Sequence, residues 1–231
     1  MLYFLSPSNV FTFLNKISKS IKAIIIPLLI VSLLFALVLS PRDYIQGDSV
    51  RIMYVHVPSS WIALACFSFM SFFTILNFLF KFKNGLIIYK SLAPIGFVFC
   101  LISIVTGSIW GQPTWGTFWA WDARLTSMLI LLFFYFIFIL SYKLIQDQNT
   151  CSKVCSIISV LGLINLFVIK YSVEFWSTLH QPASVNVFGE TSIHKSMLLP
   201  LSLMLLVFLV YCALIFLMKY RVEIIRMKRK S

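Results

Sequence analysis

The chain has 231 residues, 60% of them hydrophobic and 11% charged, with a net charge of +12 and a mean hydropathy of +0.96. A soluble domain is about 25% charged, so the composition excludes an ordinary soluble domain and indicates a polytopic membrane protein. The basic excess then marks cytoplasmic loops and anionic lipid contacts; no soluble basic surface is visible, and no nucleic-acid partner is expected.

At about 20 residues per span, the apolar runs give an all-α protein with six transmembrane helices. Short loops remain and no room for a second domain, so residues 1–231 form a single integral membrane domain. Lys16, Lys19 and Lys22 lead into the first span, about residues 21–40. Pro41 follows directly and no small-x-small cleavage site is evident, which predicts an uncleaved anchor rather than a signal peptide. A polar loop, 41–51, is followed by Ile52-Met53-Tyr54-Val55-His56-Val57-Pro58-Ser59-Ser60-Trp61 and a second span, about 59–80. Lys81-Phe82-Lys83-Asn84-Gly85 turns the chain into a third span, about 91–109.

That span delivers Trp110-Gly111-Gln112-Pro113-Thr114-Trp115-Gly116-Thr117-Phe118-Trp119-Ala120-Trp121-Asp122-Ala123-Arg124-Leu125-Thr126, which holds four of the six Trp. Its Gly and Pro punctuation predicts a loop, not a continued spanning helix. Span four follows at about 125–142 and span five at about 154–171, with Asn165 a polar insertion. A loop over 172–195 carries Trp176-Ser177-Thr178-Leu179-His180-Gln181, and the sixth span, about 196–218, ends in a basic tail.

Fourteen of the nineteen Lys and Arg fall in the N-terminus, the 81–90 and 143–153 loops and the tail. By the positive-inside bias both termini face the cytoplasm. All three His, all six Trp and five of the seven acids then share the outer side.

Two outer-loop imidazoles, His56 and His180, suit the two axial positions of a haem iron. Indole faces offer apolar area and π-surface to a flat macrocycle, and Arg51 and Arg124 present guanidinium forks to its carboxylates. Blander roles stand beside these. Interfacial His and Trp often serve only as anchors, the favoured reading for Trp61 and Trp176, whereas the 110–121 cluster favours ligand contact. Asp122 fits an N-cap of span four, a ligand-side role, or both. Arg124 at that helix start is unfavourably placed for the helix dipole, which points to a function beyond helix stability. His194 has no evident companion and reads as structural. Cys66, Cys100, Cys151, Cys155 and Cys212 form no Cys-x-x-Cys pair and no Cys-x-x-Cys-His, so covalent haem of the c type is not expected. No phosphate loop, zinc helix or serine elbow is present, and the acid-poor spans offer little to an ion-coupled carrier.

The Trp110–Thr126 stretch resembles the tryptophan-rich "WWD" signature of haem-handling membrane proteins of cytochrome c biogenesis. The segments Arg51-Ile-Met-Tyr-Val-His56-Val-Pro-Ser-Ser-Trp61 and Trp176-Ser-Thr-Leu-His180-Gln181 resemble those of the cytochrome c maturation protein C family (CcmC, haem exporter protein C) over nearly the whole chain. The resemblance implies that His56 and His180 are axial ligands of haem b (iron protoporphyrin IX). It implies that Trp110, Trp115, Trp119, Trp121 and Asp122 hold the haem edge-on, with Arg51 and Arg124 at positions matching the family pattern. It implies delivery of haem to a membrane-tethered chaperone (CcmE), helped by a small membrane protein (CcmD) and an ATP-binding cassette complex (CcmA and CcmB). The expected setting is a bacterial inner membrane, or the mitochondrial one for an organelle-encoded chain. The role is holding and orientation rather than conventional enzyme catalysis. Two rivals are a transporter of haem or another small molecule, with Asn165 and Thr106 as its polar candidates, and a haem-free scaffold that docks the chaperone.

Overall fold

The computed structural model describes residues 7–80, 85–180 and 193–228. Gln181 and the 81–84 turn lie outside them. Among the described residues, six helices are long and apolar enough to cross a membrane. They are α1 (Pro7–Leu34), extended by a π-helical turn Phe35–Leu39; α2 (Met53–Phe80), entered through a 3₁₀ turn Asp48–Ile52; α3 (Gly85–Trp115); α4 (Ala123–Leu144); α5 (Gln148–Phe175); and α6 (Lys195–Lys228). All run longer than the apolar stretches alone, because amphipathic and polar turns at both ends continue the helical ladder.

The largest difference from the sequence expectation is at the third helix. It does not stop near residue 109 but runs through Pro113 to Trp115. A proline there removes one donor, yet the ladder loses little. Only the Ile109 carbonyl is left without its usual donor, while Thr114 Oγ1 donates to Trp110 O at 2.7 Å and lies 3.3 Å from Gly111 O, adding side-chain bonds to the last turn. Gly116, at φ +76°, then ends the helix, its N–H bonded to Gln112 O at 3.0 Å. A left-handed residue just past the last turn is the usual glycine stop.

Helices α2 to α5 form the core, and α6 lies against them. Lipid is as apolar as leucine, so burial from water cannot drive this packing; close approach and hydrogen bonds do. Gly162 of α5 lets the fully buried Phe67 ring of α2 lie against its backbone, and Gly96 of α3 does the same for the buried Tyr135 ring of α4. Tyr135 Oη donates to Ala63 O at 2.6 Å, joining α4 to α2. Asn165 Nδ2 donates to Ser127 O at 2.9 Å, joining α5 to α4. The polar insertion of the fifth span is thus a structural rivet. By contrast α1 is peripheral, with only 11% of its most apolar window buried against 39% for α2 and α5. It packs on α6, where Ser32 Oγ lies 3.2 Å from Leu203 O.

One end of this bundle gathers the C-termini of α1, α3 and α5 and the N-termini of α2, α4 and α6. Arg51 bonds to Leu37 O, Trp110 to Gln46 and Leu179 to Asp122 there. His56, His180, Arg51, Asp122, Arg124 and the Trp110–Trp121 cluster all stand at this end.

Candidate functional site

A cavity of about 680 Å³ opens at this end between α2, α3, α4, α5 and the 176–180 segment. That volume lies within the roughly 300–1,000 Å³ typical of cofactor and ligand pockets. His56, His180, Trp110, Trp115, Trp119 and Arg124 all line it. The mouth also carries Gln46, Lys170 and Glu174, while Leu64, Ile104, Met128 and Leu166 make an apolar inner part.

His56 lies inside the first turns of α2 rather than in a loop, so its backbone is fixed by the helix. Its Nδ1 is 2.9 Å from Ser103 O and 3.2 Å from Thr106 Oγ1, both on α3. A carbonyl only accepts, so Nδ1 carries the proton and Nε2 keeps a lone pair; this tautomer is assigned from the bond network. Thr106 donates its own hydroxyl to Ile102 O at 2.7 Å, which leaves its oxygen to accept from His56. Gly107 makes the room: a Cβ there would stand 2.8 Å from His56 Cε1. The ring edge also meets Trp110, with centroids 5.8 Å apart and planes at 69°.

His180 meets Trp115 in the same edge-on manner, at 4.8 Å and 61°. Its Nδ1 is buried, makes no hydrogen bond, and lies 3.7 Å from Asp122 Oδ2, beyond bonding distance. Burial pushes its pKa down to about 4, the nearby Arg124 charge adds to this, and the Asp122 carboxylate opposes it. His180 is therefore neutral at physiological pH and has a lone pair to give.

The Arg124 side chain lines the cavity without a hydrogen bond or ion pair to any described residue. Its nearest charge influence among the described residues is the Asp122 carboxylate, and a partly buried guanidinium fork is well shaped for a further anion. Trp110 is fixed by its Nε1–H, which donates to Gln46 Oε1 at 2.9 Å. Trp119 Nε1 is buried without a partner.

Three sequence candidates are not on the cavity lining. Trp121 is 78% exposed and packs edge-on against Trp119 at 5.5 Å. Asp122 stands behind His180; its Oδ1 caps α4 by accepting the Leu125 N–H at 2.7 Å. Arg51 faces the end of α1, donating to Leu37 O at 2.7 Å and lying 3.3 Å from Ser40 O and 3.4 Å from Asp48 Oδ1. These bonds complete carbonyls left open where the first span ends. His194 bonds locally, with Nδ1 2.7 Å from Ser196 Oγ at the start of α6. Sequence reasoning passed over Gly107, Ser103, Gln46, Lys170 and Glu174. Only the Lys170–Glu174 pair, one turn apart on a helix end, left a signal that could have been followed.

The residues present fit an iron porphyrin. Two neutral imidazoles, four indoles (Trp61, Trp110, Trp115 and Trp119) and a guanidinium share one cavity of suitable volume, and one imidazole is already held in the ligating tautomer. The family model described as "Heme exporter protein C" matches residues 1–231. The chain belongs to that family. Heme exporter protein C of Bradyrhizobium diazoefficiens is 38% identical over 86% of this chain and 75% of its own length. Its counterpart in Haemophilus influenzae is 36% identical over 95% of this chain and 89% of its own. A putative cytochrome c biosynthesis ccmC-like mitochondrial protein of Marchantia polymorpha is 43% identical over 79% of this chain and 77% of its own. Bacterial heme exporter C proteins and a ccmC-like mitochondrial protein are thus similar to this chain at comparable levels.

Proposed function

We propose that this protein holds haem b on the outer face of its membrane and hands it to a haem chaperone during c-type cytochrome assembly. The observation that carries the reading is the convergence of His56 and His180 on one cavity with Trp110, Trp115, Trp119 and Arg124. The iron of haem supplies two axial coordination positions, and imidazole nitrogens suit them. His56 presents Nε2 because Ser103 and Thr106 hold Nδ1. Neutral His180 supplies the second nitrogen. Trp110 and Trp115 brace the imidazoles edge-on, and the indoles wall the cavity against water. Arg124 would meet a haem carboxylate, a charge-assisted bond for which its planar fork is shaped. Arg51 and Trp121 act around the site rather than on its lining.

In this reading the chaperone approaches from the exposed side, where Phe118 and Trp121 stand 62% and 78% exposed. The family names support haem export in cytochrome c biosynthesis. An ATP-binding cassette complex and a small membrane subunit complete the assembly, with both termini in the cytoplasm of a bacterium or the matrix of a mitochondrion. The test is a visible spectrum of purified protein with and without His56→Ala and His180→Ala. Each substitution is expected to remove or shift the haem Soret and α bands; unchanged bands in both would reject the ligand assignment.

One observation favours transport as a second reading. The cavity reaches inward along α2 from His56 to Ser68, twelve residues or about 18 Å of helix. Haem uptake into sealed vesicles by this protein alone would support it.

A further inference from the structure

One carboxylate ties the segment bearing His180 to the start of α4. Asp122 Oδ1 accepts the Leu125 N–H at 2.7 Å. Oδ2 accepts the Leu179 N–H at 3.2 Å, a link across 57 residues, and lies 3.7 Å from His180 Nδ1. The Asp122 side chain is 8% exposed, and the Nδ1 beside it is buried without a partner. Leaving such a nitrogen unbonded is unfavourable, while a carboxylate oxygen accepts more than one bond.

We propose that Asp122 is the positioning residue for His180: its carboxylate favours the Nδ1–H tautomer already in the apoprotein, and Oδ2 accepts a hydrogen bond from Nδ1–H when the ring seats on iron, leaving Nε2 as the donor atom. The inference rests on the bis-imidazole reading above. Ligating histidines regularly give their second N–H to a carboxylate or carbonyl, which fixes the tautomer and raises ligand basicity. Here the two sides differ. His56 leans on a neutral carbonyl, Ser103 O, and His180 leans on an anion. His180 is then the more basic ligand and the stronger stabiliser of ferric iron.

The competing view is that Asp122 only caps α4. Asp122→Asn separates the two. Asparagine caps a helix about as well as aspartate and keeps an oxygen for Leu125, but its amide N–H₂ meets the Leu179 N–H and His180 Nδ1–H, donor against donor. Asp122→Ser retains a capping oxygen and lacks the second acceptor altogether, so it serves as the parallel variant.

Three readouts apply. Haem titration of the apoprotein should show a 10–100-fold loss of affinity in either variant, the usual range for such partners. The reduction potential of bound haem should move positive, a shift that a lost helix cap does not produce. In ¹⁵N-histidine NMR of the apoprotein, which has three histidines, the His180 signals should lose their Nδ1–H pattern while those of His56 stay. In a His180→Ala background, Asp122→Asn should cost no further affinity. Wild-type affinity and potential in Asp122→Asn, or the same fold-loss with and without His180, would overturn the assignment. If His180→Ala itself leaves affinity unchanged, the bis-imidazole reading fails and takes this one with it. A loss in His180→Ala with none in Asp122→Asn strikes this inference alone.

Discussion

Gly107→Ala tests the site through a residue of the cavity wall that has no side chain of its own. The added methyl would sit 2.8 Å from His56 Cε1 and 3.2 Å from Nδ1. Carbon atoms settle at about 3.5–4.0 Å, so the ring must retreat by roughly 0.7 Å. A retreat of that size stretches the 2.9 Å contact from Nδ1 to Ser103 O to about 3.6 Å, which is no longer a hydrogen bond. The lost bond is worth about 1 kcal/mol, and an off-rotamer imidazole adds about 0.5–1.5 kcal/mol. Together they come to about 2 kcal/mol, or roughly a 30-fold weaker grip on haem. Helix propensity runs the other way, since alanine improves on glycine by about 1 kcal/mol, so the apoprotein keeps its helix content. The assay is haem titration of detergent-purified apoprotein followed in the Soret band, with circular dichroism as the control. A folded Gly107→Ala protein with wild-type affinity and spectrum would refute the claim that this glycine exists to seat His56.

Arg124→Gln should erase discrimination between haem and its dimethyl ester, which the wild type makes by about tenfold if the carboxylate bond is worth about 1.5 kcal/mol; equal discrimination in both proteins would count against the pairing. Arg51→Ala should lower thermal stability by about 1–2 kcal/mol, since two carbonyls at the end of the first span lose a charged donor, yet leave the haem spectrum unchanged; a lost spectrum would restore Arg51 to the site. Trp110→Phe should weaken haem binding severalfold and Gln46→Leu somewhat less, because the indole loses its tether in the second case and its body in the first; a larger effect from Gln46→Leu would contradict this order. Gly162→Ala should destabilise the bundle by about 1–3 kcal/mol through collision with the buried Phe67 ring, read as a lowered midpoint in detergent unfolding without a selective change in haem ligation.

The six spans were legible because long apolar runs have one stable solution in a bilayer, where every backbone group must be bonded within its own segment. Their ends were not, since polar turns extend a helix once neighbours support it. The Trp-rich segment misled for that reason. Pro113 and Gly111 argue for a loop in isolation, but the helix tolerates the one missing donor, Thr114 adds its hydroxyl to the last turn, and Gly116 supplies the stop just beyond it. At the site, His56, His180, Trp110, Trp115, Trp119 and Arg124 announced themselves by being polar or bulky where an apolar run ends. Arg51 announced itself equally well, but which acceptors a guanidinium reaches depends on how α1 ends, and charge alone does not tell. Gly107 and Ser103 were silent. A small residue in an apolar helix looks the same whether it packs against lipid, a neighbouring helix or an imidazole.

The continuity of α3 makes its register a ruler for the site. Ser103, Gly107, Trp110 and Trp115 are all read off one uninterrupted helix, so their spacing is set by its pitch and not by loop closure. One residue inserted between 103 and 110 would turn everything above it by about 100° and lift it by about 1.5 Å, swinging the indoles away from the imidazole that their lower neighbours still hold. Point changes in this stretch are therefore graded in effect, while a single insertion or deletion is all or none.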